Sequence, residues 1–146
     1  MKPEFNKIAV FKSRKIRRMI HGNEWWFSVT DVIAALTDSL DSRDYWYQMN
    51  KRVKTESGSQ LSTNCRRLKL ESSDGKKYET DCANTETIFR IVQSIPSSKA
   101  EPFKRWLARV GYERVEEIND PELAQKRARA LYKVKGYSDD WIEGRM

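Results

Sequence analysis

Residues 23–36 read Asn-Glu-Trp-Trp-Phe-Ser-Val-Thr-Asp-Val-Ile-Ala-Ala-Leu. Three large aromatics stand side by side, and the apolar pattern then changes from the period of a strand to that of a helix. Successive strand side chains point to opposite faces, so Trp25 and Trp26 cannot enter one core from the same side. Upstream, Lys15 to Ile20 reads as a strand that pairs with Trp25 to Ser28 through Gly22-Asn23, a dipeptide suited to positive φ in a tight hairpin. That turn sets Ile20 opposite Trp25 and Arg18 opposite Phe27. Ile16, Ile20, Trp25 and Phe27 then share one face, and Arg17, Met19, Trp26 and Ser28 the other. The expectation is that Trp25 and Phe27 are core and that Trp26 braces a neighbouring helix. An exposed base-stacking platform would not ordinarily be tied so closely to a core strand and a helix start. Phe5 to Phe11 reads as a further short strand.

The residues after the strand explain the change of period. Ser28 and Asp31 have the S-x-x-D spacing of a capping box, with Thr30 a rival cap, and Val32, Ile33 and Leu36 form an apolar stripe. After Thr37-Asp38-Ser39-Leu40, Asp41 is placed to cap a second helix, predicted over Ser42 to about Lys54, with Asp44 at its positive end. Trp46, Met49 and Val53 make its buried stripe, whereas Arg43, Tyr47, Asn50 and Lys54 align on the opposite side with Lys51 beside them. Two helices joined by a short turn, the second presenting Arg, Tyr, Asn and Lys, have the form of a helix-turn-helix. The residue types suit duplex DNA: Arg forks onto guanine, Asn pairs with adenine and Lys neutralises phosphate. A solvated helix carries such residues too.

Thr55 to Ser62 reads as a polar loop. Two alternating segments follow, Arg66 to Glu71 and Lys77 to Cys82, joined by a turn containing Asp74-Gly75. Arg66, Arg67, Lys69, Lys76 and Lys77 make this hairpin basic, either a wing on the phosphate backbone or a charged edge that blocks strand pairing. The wing reading requires Arg43, Lys51, Lys54, Arg66, Arg67, Lys76 and Lys77 to form one continuous basic face. From Asn84 the pattern is helical. Asn84 or Thr85 caps Ile88, Phe89, Ile91, Val92 and Ile95, and Pro96 ends the segment. Ala100 to Val110 is the next predicted helix, with Ala100, Phe103, Leu107 and Val110 buried, Trp106 at the margin and Gly111 as its stop. Asp120-Pro121 opens another helix running to Lys135, whose Lys126, Arg127, Arg129, Lys133 and Lys135 read as a solvated or partner-facing run. Ser138 caps a last segment.

Lys plus Arg number 28 against 21 Asp plus Glu, a formal charge of +7 that favours an anionic partner. No apolar run reaches the ~18–20 residues of a membrane helix, and no membrane is expected as a partner. Cys65 and Cys82 lack metal-ligand spacing and His21 falls in a turn, so neither a metal site nor a catalytic triad is expected. Glu79/Asp81 and Asp38/Asp41/Asp44 have simpler roles as caps or strand surface than as magnesium ligands. With no glycine-rich phosphate loop, the chain reads as non-enzymatic, without cofactor or catalytic residue.

The order of motifs resembles a known family. Trp26-Phe27-Ser28-Val29-Thr30-Asp31-Val32-Ile33-Ala34-Ala35-Leu36 is similar to the W-F-x-x-x-D-V-x-x-x-L opening of the Bro-N domain, found in BRO proteins and phage antirepressors. Asn84 to Ser94 stands where that family has N-E-x-G-L-Y-R-L-I-x-x-S. Ala100-Glu101-Pro102-Phe103-Lys104-Arg105-Trp106-Leu107 resembles its A-x-x-F-K-R-W-V. The likeness runs from about Ile8 to Tyr112 and departs after Leu107, where Ala108 to Arg114 replace E-V-L-P-x-I-R-K. It implies an α+β DNA-binding module of prophage, phage or large-virus regulators. The expected organisation is a domain over residues 1–112, with a small antiparallel sheet, a helix-turn-helix-like pair and a basic hairpin. A helical extension over residues 113–146 would lead into a further C-terminal region. The expected partner is double-stranded DNA in the cytoplasm of a bacterial or phage-infected cell, at the nucleoid. The alternative is a protein-interaction module that binds a repressor or other host protein without DNA.

Overall fold

The computed structural model describes residues 16–58 and 61–145; the expected strand Phe5 to Phe11 lies outside them. The order is β1 (Arg18–His21), β2 (Glu24–Ser28), α1 (Val29–Leu36), α2 (Ser42–Ser57), a 3-10 turn (Leu61–Asn64), β3 (Arg66–Glu71) and β4 (Lys77–Asn84). After these come α3 (Thr85–Gln93), a second 3-10 turn (Ser98–Ala100), α4 (Glu101–Asn119), α5 (Glu122–Val134) and α6 (Asp139–Arg145). The fold is α+β. It divides into two compact units, one reaching Trp106 and one from Leu107 onward.

The first unit is built on a four-stranded antiparallel sheet in the order β1-β2-β4-β3. The first hairpin has the expected register, Ile20 opposite Trp25 and Arg18 opposite Phe27, with Gly22 and Asn23 both at positive φ. The sheet curls, and Arg17, just before one edge strand, donates from Nη1 to the Glu71 carbonyl at the end of the opposite edge, 3.3 Å away. Curling reverses the expected roles of the two tryptophans. Trp26 is buried with Leu70 and Cys82, flanked by Met19 and Leu68, so side chains of the sheet itself cover it and no helix is needed. Its indole N–H donates to the His21 carbonyl at 3.0 Å. Trp25 is the exposed member, at 43%, with Ile20 beside it at 56%; Phe27 is buried as expected. Strand alternation separates the tryptophans, but the curl decides which face is closed.

Helices α1 and α3 pack on β2 and β4, and α2 packs on α1. Ser28 caps α1, its Oγ accepting from the Asp31 backbone N–H at 3.3 Å. The Asp31 carboxylate does not complete a reciprocal box. It takes the Arg17 backbone N–H (2.9 Å), Nε (2.8 Å) and Nη2 (3.1 Å), locking the helix start to the strand. The hydrogen bonds and charge of Asp31 raise the Arg17 pKa against the opposing effect of burial. Val29, Val32, Ile33 and Leu36 are buried, each worth about 1.5–3 kcal/mol relative to exposure.

Asp41 caps α2 as expected, accepting from the Asp44 N–H at 3.1 Å. The helix runs beyond Lys54 to Ser57, where Gly58 at φ 77° closes it, its N–H bonding the Lys54 carbonyl. The expected loop from Thr55 is therefore partly helix and partly a 3-10 turn. Asn84 caps α3 and Ser138 caps the start of α6.

Gly111 does not end its helix: α4 continues to Asn119. A helical glycine costs only about 1 kcal/mol against alanine, and good helix formers such as Glu113, Arg114, Glu116 and Glu117 outweigh it. Trp106 is buried with Phe103, against Phe89 from α3, whereas Val110 is exposed. In the second unit Arg127 joins α5 to α4 through Glu116 (2.9 Å), Glu117 (2.8 Å) and the Glu113 carbonyl (3.0 Å). Tyr137 stacks on Trp141 at 4.1 Å, and Ile142 is fully buried.

Candidate nucleic-acid interface

Helix α2 is fixed in rotation by its buried side. Trp46, Met49 and Val53 are buried as the spacing predicted. Trp46 donates its indole N–H to Asp81 Oδ2 on β4 at 3.0 Å, and Arg52 donates to the Ser94 carbonyl beyond α3 at 2.6 Å. With the helix held at both ends, Arg43, Tyr47, Lys51 and Lys54 are all exposed along one side. Lys51 Nζ lies 5.9 Å from the Tyr47 ring centroid, a loose cation–π contact. Asn50 differs from these. It is half-buried, and its Oδ1 accepts from the Ser62 backbone N–H at 3.1 Å, so its side chain holds the 3-10 turn. Beside this face Gln48, Lys51, Arg52, Thr55 and Glu56 line an open depression of about 340 Å³.

The hairpin is arranged otherwise. Its turn forms as the Asp-Gly pair predicts, with Gly75 at φ 81° and Asp74 accepting from the Lys76 N–H (2.8 Å) and the Tyr78 hydroxyl (2.6 Å). The Tyr78 hydrogen bond is the main reason the Asp74 pKa is lowered and the Tyr78 pKa raised. Across the strands Arg67 faces Asp81, Lys69 faces Glu79 and Lys77 faces Glu71. Each of these cations stands opposite an anion, and Arg67 Nε is 3.4 Å from Asp81. Arg66 lies on the other face, its guanidinium 5.7 Å from the Trp26 ring centroid. Strand alternation divides Arg66 from Arg67, so the basic residues of the hairpin do not all share one face. Lys76 sits in the turn. Charge complementarity along the ladder suits a protected sheet edge better than a phosphate-binding wing.

The remaining chemistry is structural. Asp81 is engaged by Arg67 and Trp46, and Asp38 by Lys99 at 2.7 Å. Burial pushes the Cys65 thiol up to about 12 and the Cys82 thiol to about 11, so both are protonated and unreactive at neutral pH. Among the described residues no group of His, Cys, Asp and Glu is arranged to hold a metal ion. No described helix is long and apolar enough to cross a membrane. The basic run of α5 is largely paired: Arg127 as above, Arg129 with Glu143, and Lys133 with Asp139 at 3.4 Å. Sequence reasoning passed over Arg18, whose guanidinium lies 4.7 Å from the centroid of the exposed Trp25 ring. A signal was present, because residues 5–23 contain Lys7, Lys12, Arg14, Lys15, Arg17 and Arg18 and no acid.

A curled antiparallel sheet leads through a capped strand-to-helix joint into a packed helix pair, an α+β module with exposed cations along its second helix. The sequence model described as BRO family, N-terminal domain, matches residues 15–116, and the chain belongs to that family. No match is found among curated proteins or among solved structures.

Proposed function

We propose that this chain is a non-catalytic DNA-binding regulator of the phage or prophage antirepressor type, holding duplex DNA chiefly through the outward side of α2. The observation that carries this reading is the exposure of Arg43, Tyr47, Lys51 and Lys54 on a helix anchored by Trp46, Met49, Val53 and Arg52. Association with a family of DNA-binding and antirepressor proteins supports it. Phosphate contacts from Lys51 and Lys54 would supply affinity, and Arg43 and Tyr47 would supply what base or groove preference there is. The hairpin cations Arg66, Arg67, Lys69, Lys76 and Lys77 have a secondary part, because Arg67, Lys69 and Lys77 each stand opposite an acid across the ladder. The DNA-binding domain is assigned to residues 1–112, with 113–146 as an extension, and the site of action to the cytoplasmic nucleoid.

Duplex binding measured by fluorescence anisotropy at several salt concentrations tests this reading. Lys51→Ala and Lys54→Ala should each weaken binding and lower the slope of log affinity against log salt by about 1. An intact chain that retains no duplex even at low salt overturns the proposal. The second reading, a module that occupies a repressor or other host protein, is favoured by the exposed Tyr112, Val115 and Ile118 of α4. Recovery of a repressor from a nuclease-treated lysogen lysate, without duplex binding, would select it.

A further inference from the structure

The second unit, from Leu107 onward, is short of core. Among its described residues only Ile142 is buried, whereas Tyr112, Val115 and Ile118 of α4 stand 64%, 58% and 65% exposed. A helical unit of about 40 residues is at the size where a disulfide, a metal or oligomerisation usually supplies what the core lacks. This unit has no cysteine, and none of its described residues form a group that could hold a metal. The exposed residues are ordered. Ala108, Gly111, Val115 and Ile118 follow at alternating spacings of three and four, the pattern of a helix–helix seam, with Tyr112 beside them, and all five are exposed. Arg127 holds the Glu116 and Glu117 carboxylates at 2.9 and 2.8 Å on the side of α4 that meets α5, so they do not crowd the seam.

We propose that this face of α4 joins a second copy of the chain, the two helices running antiparallel about a two-fold axis level with Glu113. That register sets Ala108 against Ile118 of the other copy and Gly111 against Val115, a short side chain opposite a long one at each level. A parallel pair would instead set Ala108 on Ala108 and Ile118 on Ile118, with a gap at one end and crowding at the other. The stripe is thus complementary to itself, which selects a second copy over an unrelated protein. Tyr112, Val115 and Ile118 bring roughly 400 Å² of exposed surface to each copy, and the flanking residues carry the pair to about 1,000 Å², the scale of a reversible dimer. The inference does not depend on the α2 reading.

Sedimentation equilibrium of the full chain across the micromolar range tests it. The protein should approach twice the mass of one chain. Val115→Glu combined with Ile118→Glu should raise the dissociation constant roughly 100-fold or more, because charges would then enter the seam unpaired. Both positions are exposed in a single copy, so this variant should keep the circular dichroism of the parent. The direction of the helices is read by cross-linking, under oxidation mild enough to leave the parent chain uncoupled. An Ile118→Cys chain should couple to an Ala108→Cys chain and not to itself. A monomer at every concentration, an undiminished dimer in the double Glu variant, or self-coupling of Ile118→Cys would overturn the proposal. Recovery of a host repressor through Val115 and Ile118, by a chain that stays monomeric, would also overturn it. A dimeric chain that retains no duplex would support this inference and overturn the α2 reading.

Discussion

Replacing each tryptophan of the first hairpin by alanine separates two neighbours that local sequence treats as almost equivalent. Trp26 retains 6% of its surface, packs on Leu70 and Cys82, and bonds the His21 carbonyl. A buried indole contributes roughly 200 Å², of which alanine at the same position recovers a small part. The net loss of about 170 Å² costs about 4 kcal/mol at ~25 cal/mol per Å². Incomplete collapse around the vacated space keeps Trp26→Ala within the ~3–5 kcal/mol range of such truncations. The lost hydrogen bond adds little, because His21 is exposed and water reaches its carbonyl. Trp25 is 43% exposed, so Trp25→Ala loses about half the area and the Arg18 contact, about 1–2 kcal/mol. Urea unfolding followed by far-UV circular dichroism should therefore separate the two by about 2 kcal/mol or more. In thermal melts that is a further fall of about 10 °C for Trp26→Ala, for a domain of about 100 residues. If Trp25→Ala costs as much as Trp26→Ala, the curl of the sheet is wrong and the register-based assignment of the core stands.

Gly111→Ala should stabilise the chain by about 0.5–1 kcal/mol, read as a higher melting temperature, because the position is interior helix and an added Cβ meets nothing within 4 Å. Destabilisation would show that the helix ends there after all. Asn50→Ala should disturb the Leu61–Asn64 turn, lowering amide-exchange protection of Ser62, with a cost of about 1 kcal/mol. Unchanged protection of Ser62 would return Asn50 to the outward face. Tyr78→Phe should raise the Asp74 pKa toward the ordinary carboxylate value, followed by NMR titration. Asp74 is depressed in the folded chain, so its contribution is present above the unfolded carboxylate pKa and lost as pH falls through the folded one. Tyr78 is raised, so its contribution is present below the ordinary tyrosine pKa and lost as pH rises through the folded value.

Local chemistry made much of this molecule legible in advance. Ser28, Asp41, Asn84 and Ser138 cap helices as their spacing implies, because a cap needs only a side-chain acceptor and an amide two or three residues on. The hairpin register followed from Gly22-Asn23, and the Trp46, Met49 and Val53 stripe from helical period. Asn50 was misleading because periodicity gives a direction around the helix and says nothing of the turn that arrives beside it twelve residues later. The surroundings of the hairpin cations were not legible, because a one-dimensional count of Lys and Arg omits the acids standing across the ladder from Arg67, Lys69 and Lys77.

The sequence by itself determined the α+β composition, the helix starts, the pairing within each hairpin and the family motifs at Trp26 to Leu36 and Ala100 to Leu107, all products of interactions within a few residues. Only the tertiary structure decided which tryptophan is core and where the positive charge is left unpaired. Those outcomes depend on groups far apart in the chain. Arg17 meets Glu71 where the sheet curls, Leu70 closes over Trp26, and Asp81 is shared between Arg67 and Trp46. Trp25 was left outside because the sheet closed on its other face.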